Sequence, residues 1–469
     1  MGMSFISRLS VKARVGWGLF LGYTSFELYL HFKTKSIINA RKLQYDKVTT
    51  EEQSLDTDVS KFKSSNVAGM FINPFKEYRN QTAFEFLLVR IMEVFESIYG
   101  TEIEIHQKLP NPHDGAIDVE DILKVFKPDL ERFRKNSLIL NQCLQSNDFT
   151  NLNQTTFTEK LIQKSWFHTK TVILPEQLPP IKDQLLFTWL GQSCSLVQLS
   201  GINFLTDPII SDHLFSPKFG PKRLRKSPMT IDSIKYATND KLDFVLVSHD
   251  HPDHLEYDFA KKIGNNSLWI VPLGLKRKLS RKGIYKIIEM DWWETMDITK
   301  YISTSKDFPD KYEIECVPSM HWSGRFVFDS NISLWCSYIV KKNGKCILYH
   351  TGDTGYSKEL FDVIGKKLRH QPIKLGLLPI GQYCPSWHQK PRHISPEECL
   401  DICSQLNIKY MKGIHWGTFK LSSEPILEPM TKLEKLAHKI SKSDQYRVPE
   451  FGLTYLFDLK NNTETEIHV

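Results

Sequence analysis

The sequence SHDHPDHL, which starts at Ser248, is the feature that most constrains how this chain can fold. It follows the apolar run 244–247 and holds four candidate metal ligands within six residues: His249, His251, Asp253 and His254. Imidazole nitrogens and carboxylate oxygens are good ligands for zinc, manganese or iron. A buried strand that ends in such a group predicts a metal site at the edge of a sheet. Because only 16 histidines occur in 469 residues, a polar loop with incidental histidines is the weaker interpretation.

Three later segments each place another candidate ligand directly after an apolar run. These segments are PSMHWSGR, HTGDTGY and GIHWGTF, and they contain His321, Asp353 and His415. Taken singly, each of these residues is better explained by a hydrogen-bonded core position or an ordinary turn. Their order after the first cluster predicts that all three join it. Asp207 in the segment LTDP is predicted to orient the metal-binding loops as a hydrogen-bond acceptor.

Residues 185–469 have the pattern of a layered α/β domain, because short strands alternate there with turns and helices. The turn Asn343-Gly344 stands between two apolar runs, which predicts a β-hairpin. Ser395, Pro396 and Glu398 predict a helix that begins with a capping box. We therefore assign these residues to a catalytic domain.

Residues 1–42 differ in composition from the rest of the chain. Basic residues precede any acidic one and serines lie between them, which is typical of organelle transit sequences. An apolar, aromatic-rich run over residues 15–32, interrupted by Glu27, could nearly cross a hydrocarbon core of about 30 Å. We predict a targeting segment and a transmembrane anchor. A cleaved presequence and an amphipathic surface helix are the alternatives.

Residues 43–184 are predicted to be a linker followed by a mainly helical extension or insertion. Residues 82–99 have the spacing of an amphipathic helix, whereas residues 101–163 mix charged and apolar side chains without strand alternation. The eight cysteines lie far apart and are expected to be reduced. The formal charge of +7 is mild, and basic clusters such as residues 220–228 and 275–283 are most often simply solvated.

The segment HDHPDH matches the HxHxDH signature of the metallo-β-lactamase superfamily. Further segments resemble the N-acyl phosphatidylethanolamine-hydrolysing phospholipase D family: FINPFKEYRN, WLGQSCSLV, FLTDP, GPKRLRKSP, VPLGL, EMDWWE, LPIGQY and HISPEE. The resemblance covers most of residues 71–84 and 185–456, and the N-terminal arrangement is similar to that of fungal mitochondrial-membrane members. It implies an αββα sandwich that carries metal between its two sheets.

The resemblance also implies a binuclear zinc site. One zinc would be bound by His249, His251 and His321, the other by Asp253, His254 and His415, and Asp353 would bridge them. Two nearby dications lower the pKa of a shared water, so that hydroxide can attack the phosphorus of a diester. Cleavage between phosphorus and the ethanolamine oxygen would then release phosphatidate and an N-acylethanolamine.

Two further residues match family positions on the substrate side. Tyr257 would lie beside the headgroup, and His393 would contact phosphate or assist proton transfer beside Asp353; packing is the alternative for both. The chain departs from the family at Gln192, where relatives commonly have histidine, and at Arg392, where they often have glutamine. Neither departure alters the implied ligands.

The implied partners are a membrane phospholipid and the lipid bilayer, at a mitochondrial membrane and more specifically the inner one. No nucleic acid is expected, and a homodimer is left open. Another hydrolase of the same fold (a nuclease, lactonase or thioesterase) remains an alternative, because fold does not fix substrate. A non-catalytic membrane-anchored scaffold is the other alternative, against which the complete ligand set argues.

Overall fold

The computed structural model describes most of the chain. The described residues are 10–46, 55–82, 84–85, 87–89, 91–92, 109–111, 115–117, 123–163, 171–215, 220–326 and 329–469. Within them the strands, in chain order, are β1 (Asn66–Val67), β2 (Met70–Phe71), β3 (Leu109–Asn111), β4 (Gly115–Ile117), β5 (Thr156–Gln163), β6 (Thr171–Leu178), β7 (Gln184–Gly191), β8 (Cys194–Leu199), β9 (Ile202–Thr206), β10 (Phe244–Leu246), β11 (Leu268–Pro272), β12 (Ile287–Met290), β13 (Thr295–Asp297), β14 (Tyr312–Val317), β15 (Ser337–Lys342), β16 (Lys345–His350), β17 (Ile373–Pro379), β18 (Ile408–Ile414), β19 (Tyr446–Arg447), β20 (Thr454–Asp458) and β21 (Glu464–Ile467).

The α-helices of the same residues are α1 (Val11–Asp46), α2 (Leu55–Lys61), α3 (Leu130–Ser146), α4 (Ile231–Ala237), α5 (Tyr257–Ile263), α6 (Lys276–Ser280), α7 (Thr299–Ile302), α8 (Lys358–Lys367), α9 (Ser386–Gln389), α10 (Pro396–Gln405) and α11 (Glu428–Lys439). Short 3₁₀ turns occupy Thr150–Asn153, Ile181–Asp183 and Gly264–Asn266. The predicted capping box of α10 is present, and the predicted hairpin joins β15 to β16.

Two large sheets form the centre of the molecule. One contains eight strands in the order β12-β11-β10-β9-β8-β7-β20-β21, and the other contains seven in the order β13-β14-β15-β16-β17-β18-β19. Strand β7 shows why the sheets are layered. Its alternate residues Leu185 and Phe187 belong to the core shared by the two sheets, whereas Leu186 belongs to a second core under the outer helices. Because a strand that is apolar on both faces must be covered on both, the layers are helix, sheet, sheet and helix.

The extension before β7 is only partly helical, which corrects the prediction for residues 43–184. Helix α3 is present, but Thr156–Gln163 pairs antiparallel with Thr171–Leu178 over their whole length. Threonine, phenylalanine and isoleucine in these two segments favour extended backbone. The alternation of apolar and polar residues within one segment does not indicate which other segment it pairs with, so the two strands were not predicted. Of the predicted helix over residues 82–99, Thr82 is not helical, the described residues between 84 and 92 are helical, and the other residues lie outside the described part.

Helix α1 does not support the membrane span expected over residues 15–32. Among the described residues, no helix combines the length and the apolar character needed to cross a bilayer. Glu27, His31 and several glycines and tyrosines interrupt the apolar residues of this stretch and lower its mean hydropathy. The targeting signal expected at the start of the chain falls largely on residues 1–9, outside the described part.

Helix α3 is bound to the larger sheet by both apolar and polar contacts. Phe133 is fully buried in the core under the outer helices. Beside it, the side-chain amide of Asn136 donates to Gln184 and to Gln198, each at 2.9 Å. These buried polar groups are satisfied only while the helix is docked, so the extension is an integral part of the fold.

We expect Phe133→Ala to lower the free energy of unfolding by about 3–5 kcal/mol, because it leaves a cavity under the larger sheet. Leu138→Ala in the same helix is the matched control, since Leu138 is 37% exposed and should cost less than about 1 kcal/mol. Urea unfolding followed by circular dichroism measures both. Equal losses in the two variants would show that α3 is not docked as described.

Candidate metal centre

The predicted ligands lie on loops that follow strands of both sheets. His249, His251, Asp253 and His254 follow β10, His321 follows β14, Asp353 follows β16 and His415 directly follows β18. The sheets face each other, so these strand ends meet at one edge of the sandwich. Ligands that are far apart in the sequence are therefore close together in space.

The structure brings all seven residues together around a small volume. His249 and His251 are 2.8 Å apart between ring nitrogens, and His321 Nε2 lies 3.2 Å from His251 Nδ1. On the other side, the Nε2 atoms of His254 and His415 are 3.0 Å apart. Two groups of atoms each fit within 4.8 Å: His249, His251 and His321 in one, and Asp253, His254, Asp353 and His415 in the other.

Asp353 connects the two groups, as its predicted bridging position requires. Its carboxylate oxygens lie 3.1 Å from His254 Nε2 and 3.2 Å from His415 Nε2. The same carboxylate lies 3.7 Å from His321 Nε2 in the first group. It also lies 3.7 Å from His393 Nδ1, so His393 belongs to the wall of the site.

Hydrogen bonds outside the cluster turn three imidazoles towards its centre. Asp207 accepts from His254 Nδ1 at 2.8 Å, and the backbone oxygen of Arg392 accepts from His321 Nδ1 at 2.9 Å. Ser248 Oγ donates to Asp207, so it accepts from His249 Nδ1 at 2.9 Å. With hydrogen on Nδ1, the Nε2 atom of each ring presents a lone pair, which is the state that binds a metal.

Burial keeps most of the site imidazoles neutral. It lowers the pKa of His321 to about 4, and it lowers the pKa of His249, His251 and His393 well below the ordinary value. His254 and His415 behave differently. Burial acts against the charged form of both rings, but nearby carboxylates outweigh it: Asp353, Asp253 and Asp207 raise the pKa of His254 well above its ordinary value, and Asp353 and Asp253 raise the pKa of His415 to about 9.

The residues present fit divalent metal ions. Asp353 Oδ1 and His393 Nδ1 are buried and have no hydrogen-bond partner within the described part of the chain. The Nε2 atoms of His249 and His321 both face His251 Nδ1, at 2.8 and 3.2 Å, and a single hydrogen on that nitrogen cannot satisfy both acceptors, whereas a cation between them can. Two aspartates among the ligands supply negative charge against two dications. Imidazole and carboxylate together suit zinc, manganese or iron.

Comparison with known proteins identifies the family. A model of the beta-lactamase superfamily domain matches residues 202–416. The chain is 37% identical over 448 residues to a protein of Saccharomyces cerevisiae named "N-acyl-phosphatidylethanolamine-hydrolyzing phospholipase D, mitochondrial". The alignment covers 93% of this chain and 86% of that protein. The chain belongs to this phospholipase D family.

Other relatives cover less of the chain. The N-acyl-phosphatidylethanolamine-hydrolyzing phospholipase D 1 of Caenorhabditis elegans is 37% identical over 263 residues, which is 54% of this chain and 69% of that protein. A solved metallo hydrolase from Ignicoccus hospitalis aligns with a TM-score of 0.44 and 23% identity, over 58% of this chain and 98% of that one. Fold and family together make the chain a metal-dependent hydrolase.

At the position where the chain departs from the pattern of this family, Gln192 takes part in the cluster. Its side-chain amide donates to Asp253 Oδ2 at 2.8 Å and lies 2.9 Å from His415 Nε2. Its backbone is fixed as well, because His415 donates its backbone N–H to the Gln192 carbonyl oxygen. An amide therefore orients two ligand side chains where an imidazole was expected.

Tyr257 and Arg392 have positioning contacts. The Tyr257 hydroxyl donates to Asp250 at 2.9 Å, and its ring lies under the guanidinium of Arg325 at 4.0 Å. A direct role for Tyr257 in headgroup binding stays a prediction. Arg392 is 2% exposed, and its side chain donates to the carbonyl oxygens of Arg79 and His388, so it faces the interior.

Two further residues support the metal-binding loops, and the sequence pattern did not predict either of them. Asp250, between two ligands, accepts from Lys278 and Arg325 and so holds the histidine loop against two later segments. Asn73, from the segment before the sandwich, donates to the His321 carbonyl oxygen at 2.7 Å. The position of Asp250 inside the HDH motif could have drawn attention to it. No local pattern indicates the partner of Asn73.

We expect the purified enzyme to retain about two divalent ions per chain, as two-metal sites do. His254→Ala should lower that number, because it removes a ligand that contacts both Asp353 and His415. His438→Ala, an exposed histidine of α11, is the matched control and should leave it unchanged. Elemental analysis after dialysis measures the content. Equal metal in all three proteins would contradict the assignment.

Proposed function

We propose that this chain is a zinc-dependent phospholipase D that hydrolyses N-acyl phosphatidylethanolamine to phosphatidate and an N-acylethanolamine. The observation that carries the proposal is the joining of seven candidate ligand side chains, Asp353 and six around it, in a chain 37% identical to a yeast enzyme named for this reaction. A scaffold without catalysis would have no need for imidazoles held with their lone pairs inward.

The ligand residues divide between two metal positions. His249, His251 and His321 would hold one zinc, and Asp253, His254 and His415 would hold the other, with Asp353 shared. When bound, the ions supply Lewis acidity and a water of lowered pKa. The two aspartates would offset part of the charge of the ions and leave a net positive charge, which attracts an anionic phosphodiester.

His393 would bind the phosphate beside Asp353. Its Nδ1 atom is buried without a hydrogen-bond partner in the described chain and lies 3.7 Å from the Asp353 carboxylate. Since burial lowers its pKa, the neutral ring acts by hydrogen bonding and by orientation. His393, from the segment between β17 and β18, would hold the phosphate beside the metal ligands, which reduces the entropy cost of reaching the transition state.

The yeast relative is named as mitochondrial, and we propose the same compartment for this chain, at the inner membrane. A substrate with two glycerol-bound acyl chains does not leave a bilayer readily, so the bilayer is the proposed partner. Fractionation of mitochondria with carbonate extraction tests the location. Recovery outside the mitochondrial fraction would contradict it.

The substrate assignment is tested by incubating the purified protein with N-acyl phosphatidylethanolamine, phosphatidylcholine and RNA in parallel. We expect N-acylethanolamine from the first and no product from the others, measured by mass spectrometry. Hydrolysis of RNA, or of a lactone or thioester added to the panel, in place of the lipid would favour another hydrolase of the same fold.

Asp353→Asn should reduce lipid turnover by more than the roughly 10- to 100-fold typical of changes around metal ligands, because the amide cannot bridge two cations. The fold should remain, since the substitution preserves shape. Asp444→Asn, at an exposed turn, is the control and should retain full activity. Undiminished hydrolysis by Asp353→Asn would remove the bridging role.

A further inference from the structure

A cavity of about 680 Å³ lies between helix α1 and residues 73–84. Its volume falls within the range of about 300–1,000 Å³ that is usual for ligand sites. Apolar and aromatic side chains from both segments line it: Tyr23, Leu28, Ile38, Phe75, Tyr78 and Phe84. Charged side chains, including Glu27 and Lys35, also contribute, so the cavity is amphipathic.

Helix α1, which forms one side of the cavity, is attached to the segment before residue 73. Leu30 of α1 is buried with Val67 and Ile72 in a small apolar cluster. Further along the helix, Arg41 donates to the backbone oxygens of Lys61 and Lys63. These contacts fix the position of α1, and the cavity lies between the helix and residues 73–84.

Asn73, one of the residues that line this cavity, carries an unsatisfied acceptor. The residue is 4% exposed, and its Nδ2 atom donates to the His321 carbonyl oxygen at 2.7 Å. That bond fixes the orientation of the amide, because the reverse orientation would set two oxygens against each other. Its Oδ1 atom is buried and accepts no hydrogen bond from the described residues. Such an atom costs about 1–3 kcal/mol unless a donor reaches it.

The cavity adjoins the metal centre through two contacts. Asn73 holds the backbone of His321, whose ring lies in the cluster. The carbonyl oxygen of Arg79, another lining residue, accepts from Arg392, which directly precedes His393. A lipid headgroup at the metals therefore has the cavity as a neighbouring apolar space.

We propose that the cavity binds the N-acyl chain of the substrate, with Asn73 Oδ1 accepting the hydrogen of the substrate amide N–H. The inference rests on the proposed function. In N-acyl phosphatidylethanolamine the amide nitrogen is separated from the leaving oxygen by two carbons, so a diester at the metals sets the amide close by. The acyl chain beyond the amide then needs an apolar space, which the cavity provides.

The hydrogen bond is tested by comparing N-palmitoyl phosphatidylethanolamine with its N-methyl-N-palmitoyl analogue, which lacks the amide hydrogen. For the wild-type protein we expect kcat/KM to be roughly tenfold higher with the secondary amide, because a site built around an acceptor rejects a ligand without a donor. In Asn73→Ala the ratio should fall to about one. If Asn73 only braces His321, the variant lowers both rates equally and the ratio is unchanged, which overturns the inference.

The cavity is tested with Thr24→Trp, which places a large ring on its α1 wall, and with Ser25→Trp as the matched control on an exposed neighbour that does not line it. We expect Thr24→Trp to lower kcat/KM roughly tenfold for N-palmitoyl lipid, which corresponds to about 1.4 kcal/mol of transition-state stabilisation, and to leave kcat/KM for N-acetyl lipid unchanged. Ser25→Trp should alter neither rate.

These experiments distinguish failure of the proposed function from failure of the acyl-chain site. Hydrolysis of none of these lipids by the wild-type protein would overturn the proposed function and this inference with it. An active wild-type enzyme whose selectivity is the same in Asn73→Ala and in Thr24→Trp would overturn this inference alone. A Thr24→Trp effect that follows the length of the glycerol-bound chains would assign the cavity to those chains and overturn it as well.

Discussion

The buried carboxylate of Asp207 is the interaction on which the metal centre depends. It accepts from the backbone N–H and the hydroxyl of Ser248, from His254 Nδ1 and from His350 Nε2. Burial opposes its charge, yet His350 and His254 hold its pKa at about 2. A full negative charge therefore sits between β9 and β10 and fixes both ends of the histidine loop. Asp207 also orients the ring of His249 indirectly, because the Ser248 hydroxyl that donates to Asp207 accepts from His249 Nδ1.

This arrangement explains how flexible loops make a precise site. Each ligand lies close after a buried strand end, so the sandwich fixes where its backbone starts. Hydrogen bonds to Asp207, to the Arg392 carbonyl oxygen and to Gln192 then fix the rings and carboxylates. The packing of the two sheets offsets the cost of holding the ligand nitrogen and oxygen atoms close together. A bound cation relieves the repulsion that remains between these atoms.

The sequence predicted what depends on local order. The layered α/β fold follows from strand and helix alternation, and the cluster follows from ligands that all stand at strand ends. The contact of Asn73 with His321 joins residues 248 positions apart, so no spacing rule could reveal it. The pairing of β5 with β6 was missed for a similar reason, since a strand is defined by its partner. The apolar composition near the N-terminus predicted a membrane span. Polar residues interrupt the apolar ones along the same helix, so its apolar character falls short of what a span needs.

The segment before the sandwich is part of the site, because it completes hydrogen bonds that the sandwich leaves open. The His321 carbonyl oxygen is buried and its donor comes from Asn73, while the buried guanidinium of Arg392 finds the carbonyl oxygen of Arg79. A chain limited to residues 185–469 would lose both partners, and a buried polar group without one is costly. The metal centre and the cavity beside α1 therefore share one wall. Movement of that wall on lipid binding would reach His321 directly, through a single hydrogen bond.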